Sequence, residues 1–185
     1  FQAERDLISV LQTGGIIKTE VLSFRRLAFR VFNEAGGITY PHIHSAGKCM
    51  IIYRILDKMR NSLQVFSKAT EQKGFVNTVC TLITEFKRYN ITPETLKTAA
   101  GGIEQDDYLR DKLKELALIY TAFENALEER YRDSDDDLTM ASEKLSSTGL
   151  YDGAEIWIDG FSSFTPQEYL IIGQLLQKAD RVNVT

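Results

Sequence analysis

Asp159 is the residue whose type and position most directly suggest chemistry. It follows the apolar run Ala154-Glu-Ile-Trp-Ile158, which is typical of a strand, and it precedes Gly160. In phosphate-transfer proteins, an aspartate at the carboxyl end of a parallel strand holds Mg²⁺. The same Asp-Gly pair could equally form a tight turn, and the glycine supplies no second carboxylate to orient water. Asp159 is therefore a candidate Mg²⁺ ligand, and we predict no catalytic residue in the chain.

Arginines stand beside aromatic residues in the segment Ser23-Phe-Arg-Arg-Leu-Ala-Phe-Arg30, and no acid lies between residues 21 and 33. Such a pairing at the exit of a strand can hold a phosphate backbone and stack bases. The alternative is that the apolar residues are core and that the arginines only solvate the outer face. The candidates for nucleic-acid contact are Phe24, Arg26 and Phe29.

Phe161 and Phe164 lie in the loop that follows the strand ending at Asp159. Phenylalanines are costly to expose in a loop, so they either pack inward or contact a ligand. We include both as weaker candidates for nucleic-acid contact.

Other groups of polar residues favour structural roles. The acids from Asp133 to Asp137 lack the glycine and distal glutamate of a Ca²⁺ loop, so we expect a solvated helix start. His42 and His44 have no accompanying ligands that would indicate a metal site. Cys49 and Cys80 lie on apolar helical stretches, where we expect them to pack as small hydrophobes. The chain has no Gly-rich phosphate-binding loop of the Gly-x-x-x-x-Gly-Lys-Ser/Thr type.

The elements that must position these residues are mostly helices. Apolar spacing predicts helices near 1–11, 24–35, 46–60, 75–89, 107–131, 137–146 and 166–178, with a short helix opening at Thr92-Pro93. Strand-like runs occupy 19–23, 154–159 and 181–185. Three strands with helical crossovers favour a parallel sheet. We therefore predict a helix-dominated α/β fold, with a partial sheet from residues 1–47 and 149–185 and a helical insertion at 48–148.

Composition limits the classes of partner. The chain has 185 residues and a net charge of −4, which excludes binding to nucleic acid through bulk positive charge but allows a local basic patch. No apolar run approaches the roughly 18 residues of a membrane span. Two cysteines indicate a reducing, cytoplasmic setting rather than a disulfide scaffold. The first residue is not Met, and the final run reads as a strand, so we expect the chain to be a piece of a larger protein.

Several motifs together resemble the AddB subunit of bacterial ATP-dependent helicase–exonucleases. They are Phe1-Gln-Ala-Glu4, Val21-Leu-Ser-Phe-Arg-Arg-Leu-Ala28, Glu34-Ala-Gly-Gly37 and Ile156-Trp-Ile-Asp-Gly-Phe-Ser-Ser-Phe-Thr-Pro-Gln-Glu168. More loosely, the chain is similar to superfamily 1 helicases, with residues 156–159 at their Walker B strand. The resemblance implies a RecA-like sheet and an inserted helical subdomain.

The resemblance also implies a function. AddB-type subunits work with an AddA partner in double-strand break processing and recombinational repair. Their helicase-like region holds and inspects the 3′-ending single strand, which would lie along Phe24, Arg26 and Phe29. The full-length subunit would carry an iron–sulfur cluster and could bind Mg²⁺ and ATP, whereas we expect no cofactor and no enzymatic activity in this segment. Gly160 stands where active motors have glutamate, which favours a subunit without motor activity. The alternatives are a docking module for the AddA partner and an active superfamily 1 motor.

Overall fold

The computed structural model describes residues 2–10, 19–72, 74–128 and 130–185. Within these ranges the chain forms eight α-helices and two short strands. The elements are α1 (Gln2–Val10), α2 (Phe24–Ala35), α3 (Ser45–Met59), α4 (Phe75–Arg88), α5 (Pro93–Gly101), α6 (Asp107–Leu127), α7 (Asp137–Leu145), β1 (Glu155–Ile158), α8 (Pro166–Lys178) and β2 (Arg181–Val184). The helix-dominated α/β fold is confirmed.

Local sequence explains where the helices begin. The Ser23 hydroxyl accepts a hydrogen bond from the backbone N–H of Arg26 at 3.3 Å and caps α2. Thr92 caps α5, with a proline at the first helical position. At α8, Thr165 and Glu168 form a reciprocal capping box. Each of these caps satisfies backbone donors that the helix itself leaves free.

The sheet is smaller than the sequence predicts. Strand β1 pairs with β2 in parallel, and α8 makes the crossover between them, with Glu155 opposite Arg181 and Ile158 opposite Val184. The prediction of a strand at 19–23 is wrong, because these residues form no regular element. Extended backbone becomes a strand only beside a partner, and no described strand lies next to this segment. The RecA-like sheet remains a prediction.

The buried side chains form two clusters. The first cluster joins α3, α4, α5 and α6, and Phe123 and Ile52 at its centre are fully buried. The second cluster joins α2, α7, α8 and the sheet around Val31, Leu145 and Ile171. Helix α7 falls within residues 48–148, yet it packs on α2 and α8 in the second cluster. The division into three segments, 1–47, 48–148 and 149–185, remains a prediction.

The first cluster also organises the loop that follows α3. The carboxylate of Glu115 on α6 is buried and accepts three consecutive backbone N–H groups, from Gln64 at 2.5 Å, Val65 at 2.9 Å and Phe66 at 3.0 Å. Such a set of donors would otherwise be left unpaired under the apolar side chains of the loop.

No helix within the described ranges is both long enough and apolar enough to cross a membrane.

Replacing Glu115 by glutamine should lower the free energy of unfolding by about 2 kcal/mol, because a neutral amide oxygen cannot accept all three hydrogen bonds as strongly as a carboxylate. Urea unfolding of the 185-residue chain measures the change. Glu143→Gln on the exposed surface of α7 is the control and should stay within about 0.5 kcal/mol. Equal stability of the two variants would contradict the role assigned to Glu115.

Candidate nucleic-acid interface

Three of the five predicted contact residues come together at one surface. The ring of Phe24 on α2 meets Phe161 edge-on at a centroid distance of 5.3 Å and Phe164 at 6.2 Å. Phe161 and Phe164 are themselves 5.3 Å apart, and Tyr169 on α8 adds a fourth ring at 5.6 Å from Phe164. These four residues, Phe24, Phe161, Phe164 and Tyr169, form what we call the aromatic patch. The sequence did not single out Tyr169, although its place one turn into the helix after Phe164 was a usable signal.

The aromatic patch is only partly covered by the rest of the protein. Phe161 is 41% exposed and Tyr169 is 59% exposed, whereas Phe24 and Phe164 are half-buried. Contacts with the inner rings restrain the outer ones, and Phe161 and Tyr169 remain partly accessible at the surface. The patch can therefore receive another flat or apolar group.

The loop from β1 to α8 is held at both ends. Gly160 has a φ of +81°, a left-handed conformation that favours glycine and lets the chain turn directly after β1. At the other end, the backbone N–H of Thr165 donates to the Glu168 carboxylate at 2.7 Å. These two restraints direct Phe161 and Phe164 back toward α2.

Arg26 and Phe29 lie on a different side of α2. Both line an open groove of about 550 Å³ whose other walls include Glu4, Glu20 and Arg30. Arg26 is 57% exposed and forms an ion pair with Glu4 at 3.4 Å. Arg30 pairs with Glu20 and Glu34, each at 3.4 Å. Arg26, the arginine predicted to meet phosphate, therefore already faces a carboxylate, and so does its neighbour Arg30.

Phe29 contacts a histidine rather than the aromatic patch. Its ring meets that of His42 edge-on at a centroid distance of 6.3 Å. The five predicted residues thus form two groups, with Phe24, Phe161 and Phe164 in one and Arg26 and Phe29 in the other.

Asp159 lies at the carboxyl end of β1, as the sequence predicts, and is exposed. Its carboxylate accepts a hydrogen bond from the Thr185 hydroxyl at 2.8 Å. Among the described residues, no group of three or more histidine, cysteine or acidic side chains could hold a metal ion. One carboxylate does not make a magnesium site, so Asp159 as a Mg²⁺ ligand remains a prediction for the full-length subunit. The two cysteines of the chain are too few for an iron–sulfur cluster.

Sequence reasoning missed a buried charged centre between the two clusters. The Asp133 carboxylate lies 2.8 Å from the ammonium of Lys48 on α3 and 3.2 Å from that of Lys87 on α4, and only 3% of its side chain is exposed. Lys48 also pairs with Asp135 at 2.8 Å, and Lys87 pairs with Asp136 at 2.6 Å and Glu124 at 2.9 Å. We call these residues the lysine–aspartate network: Lys48, Lys87, Glu124, Asp133, Asp135 and Asp136.

The expectation of a solvated helix start at residues 133–137 is therefore wrong for Asp133 and Asp137. Asp133 and Asp137 are buried, and Asp137 binds Arg132 at 2.6 Å and His42 at 3.0 Å. The usable signal was in the helices, because Lys48 and Lys87 occupy the same apolar stripes as Ile52 and Ile83, four residues away.

Burial and charge act in opposite directions on the pKa values of the lysine–aspartate network. Burial alone would raise the pKa of Asp133, but Lys87 and Lys48 hold it below its ordinary value. Burial would lower the pKa of Lys87, and the carboxylates of Asp136, Asp133 and Glu124 instead raise it. Burial raises the pKa of Asp136 to about 6 despite the nearby Lys87. Asp133 and Lys87 are therefore charged at neutral pH.

These shifts have opposite consequences for stability as the pH changes. Because its pKa is lower in the folded state, Asp133 stabilises the fold above its unfolded pKa of about 3.8, and this contribution is lost as the pH falls further. The carboxyl of Asp136 binds its proton more tightly in the folded state, so its contribution declines as the pH rises from about 4 to about 6.

Asp133→Asn should destabilise the chain by about 3 kcal/mol at pH 7, because two buried ammonium groups lose a shared carboxylate. The difference from the unchanged chain should narrow as the pH falls below about 4, where Asp133 becomes protonated on unfolding. Urea unfolding of the 185-residue chain at several pH values measures both effects.

Asp57→Asn is the matched control for this prediction, since Asp57 is exposed on α3, the helix that carries Lys48. It should change stability by less than about 0.5 kcal/mol at every pH. A difference between Asp133→Asn and the unchanged chain that stays constant down to about pH 3 would contradict the assigned ionisation.

Comparison with known proteins places the chain in a family. The family model described as "ADDB, N-terminal" matches residues 1–185. The chain is 69% identical over its whole length to the B-type subunit of the ATP-dependent helicase/deoxyribonuclease of Acetivibrio thermocellus, of which it covers 16%. The subunits of the same name from Ruminiclostridium cellulolyticum and Clostridium botulinum are 58% and 51% identical, again over the whole chain and 16% of the relative. The chain thus spans about a sixth of the length of its curated relatives, and it belongs to the AddB N-terminal family.

Proposed function

We propose that this chain is the part of an AddB-type helicase/deoxyribonuclease subunit that holds the 3′-ending single strand during double-strand break processing, without motor activity of its own. The observation that carries the proposal is the aromatic patch, in which two separate segments bring Phe24 and Phe161 together at an exposed surface. The relatives' name, which includes both helicase and deoxyribonuclease, supports DNA as the ligand.

Single strands suit such a surface because their bases are free to stack. Each base has a flat face, and stacking on an aromatic side chain contributes about 1–3 kcal/mol without requiring a given sequence. Phe161 and Tyr169 offer the most exposed rings. A duplex keeps its bases stacked on one another and gains nothing from the same rings.

Two arginines of α2 supply positive charge for the phosphates, Arg25 next to Phe24 and Arg26 on the side of the helix that lines the groove. Arg25 is exposed one residue after Phe24, and no described acid forms an ion pair with it. Arg26 pairs with Glu4 on the surface, where such a pair contributes little to stability. A phosphate can therefore replace Glu4 as the partner of Arg26 at low cost.

The absence of motor activity rests on residue 160. Asp159 is followed by Gly160, so no carboxylate stands next to it to orient an attacking water. Added DNA should therefore stimulate no ATP hydrolysis by the full-length subunit without its partner. DNA-stimulated turnover would favour the active-motor alternative.

Phe161→Ala should weaken binding of labelled single-stranded DNA by about 5- to 150-fold, which corresponds to the loss of one stacked base. Fluorescence anisotropy with the full-length subunit across a salt series measures it. Tyr108→Ala is the matched control, because Tyr108 is 66% exposed on α6 and belongs to no aromatic pair of the described residues. Duplex DNA should bind both variants equally.

Arg26→Ala tests the phosphate contact separately. It should weaken single-strand binding and reduce the salt slope by about one counterion. Arg54→Ala, an exposed arginine on α3, should change neither. Unchanged affinity in both Phe161→Ala and Arg26→Ala would overturn the proposal.

One observation favours a second function, docking of an AddA-type partner subunit. Arg26 and Arg30 of α2 face carboxylates of the same chain, and Asp159 comes directly before the loop that carries Phe161 and Phe164. Protein interfaces use exposed aromatics in the same way. If Phe161→Ala impairs assembly with the partner subunit in the absence of DNA and leaves DNA affinity unchanged, the docking function is correct.

A further inference from the structure

The only two cysteines of the chain lie side by side, and Cys80 packs against the first cluster. Cys49 on α3 and Cys80 on α4 are 31 residues apart in sequence, and their sulfur atoms are 3.1 Å apart. Both side chains are half-buried, and neither is in a disulfide. The Cys49 thiol also lies 3.7 Å from the side-chain oxygen of Asn77.

This geometry is close to that of a covalent bond. A disulfide needs a sulfur–sulfur distance of about 2.05 Å, so the two atoms must approach by only about 1 Å. Rotation of the two thiols about their Cα–Cβ bonds changes this sulfur–sulfur distance. We propose that Cys49 and Cys80 form a reversible dithiol–disulfide site that links α3 to α4.

The oxidant we assign is a low-molecular-weight disulfide. The thiolate of Cys49 attacks one sulfur of glutathione disulfide, which forms a mixed disulfide and releases one glutathione thiolate that takes up a proton. Cys80 then loses its proton to solvent and attacks the Cys49 sulfur, which releases the second glutathione. Two thiols and one glutathione disulfide thus give one protein disulfide and two glutathiones.

The surroundings of the two sulfurs favour this order of attack. Burial, together with the hydrogen bond to Cys49, raises the pKa of the Cys80 thiol to about 12. Cys80 therefore stays protonated at neutral pH and is the poorer first nucleophile. It can still act in the second step, since the mixed disulfide on Cys49 is held against it.

The proposed disulfide would restrain the helices that carry the two lysines of the lysine–aspartate network. Lys48 directly precedes Cys49 on α3, and Lys87 lies two turns beyond Cys80 on α4. A disulfide would fix the relative position of the two helices that supply both ammonium groups to Asp133. Oxidation would thereby hold the first cluster in its present packing.

Peptide mapping of the full-length subunit tests the site. The subunit is equilibrated with glutathione disulfide at mildly alkaline pH, free thiols are alkylated, and trypsin digestion follows without reductant. Cleavage after Lys48, Arg54, Lys73 and Lys87 places Cys49 in peptide 49–54 and Cys80 in peptide 74–87. The expected product is these two peptides joined, and dithiothreitol should separate them.

Two variants distinguish the roles of the sulfurs. Cys80→Ser should accumulate glutathione on peptide 49–54, since nothing can resolve the mixed disulfide. Cys49→Ser should give neither the joined peptides nor glutathione on peptide 74–87. If the unchanged subunit yields only alkylated peptides, or only glutathione adducts without the joined pair, the proposal is wrong.

Discussion

Helices α3 and α4 are joined to the segment that precedes α7 through one shared carboxylate, that of Asp133, which lies between the ammonium groups of Lys48 and Lys87. Neither lysine could remain charged among apolar side chains without a partner, because an unpaired buried charge costs several kcal/mol. The ring packed beside them reinforces this dependence, since both ammonium groups also lie over the face of Phe123. The short segment that carries Asp133 therefore fixes where α3 and α4 lie relative to α7.

The position of the aromatic patch also depends on the segment that carries Asp133. The buried side chain of Gln167, in the first turn of α8, donates to the backbone carbonyl of Asp135 at 2.7 Å and to the Thr139 hydroxyl at 3.0 Å. This contact ties the start of α8, and with it the loop carrying Phe161 and Phe164, to the lysine–aspartate network. A charge buried among helices thus helps to place rings at the surface.

Local signals in the sequence predicted most of the helices, and their caps explain why. Ser23, Thr92 and Thr165 mark helix starts through bonds to residues three positions on, so the information lies within one turn. The strand predicted at residues 19–23 failed because pairing depends on a distant neighbour that local spacing does not reveal. The predicted contact residues fall into two groups because Phe24 and Arg26 are about 200° apart around α2, a helix with 3.6 residues per turn.

The lysine–aspartate network lay beyond local sequence reasoning because its partners are 85 residues apart along the chain for Lys48 and Asp133. A run of acidic residues before a helix is typical of a helix start exposed to solvent. Only the presence of Lys48 and Lys87 in apolar stripes indicated that these acids could be buried. Replacing a buried charged network by apolar residues often leaves the stability of a protein unchanged or raises it. We therefore infer that this network selects one packing arrangement of the helices rather than adding to the stability of the fold. Apolar contacts alone impose no directional requirement, whereas two ammonium groups that share one carboxylate satisfy their charges in one arrangement of α3, α4 and the segment 133–137. That arrangement brings the segment 133–137, and through Gln167 the start of α8, to one position.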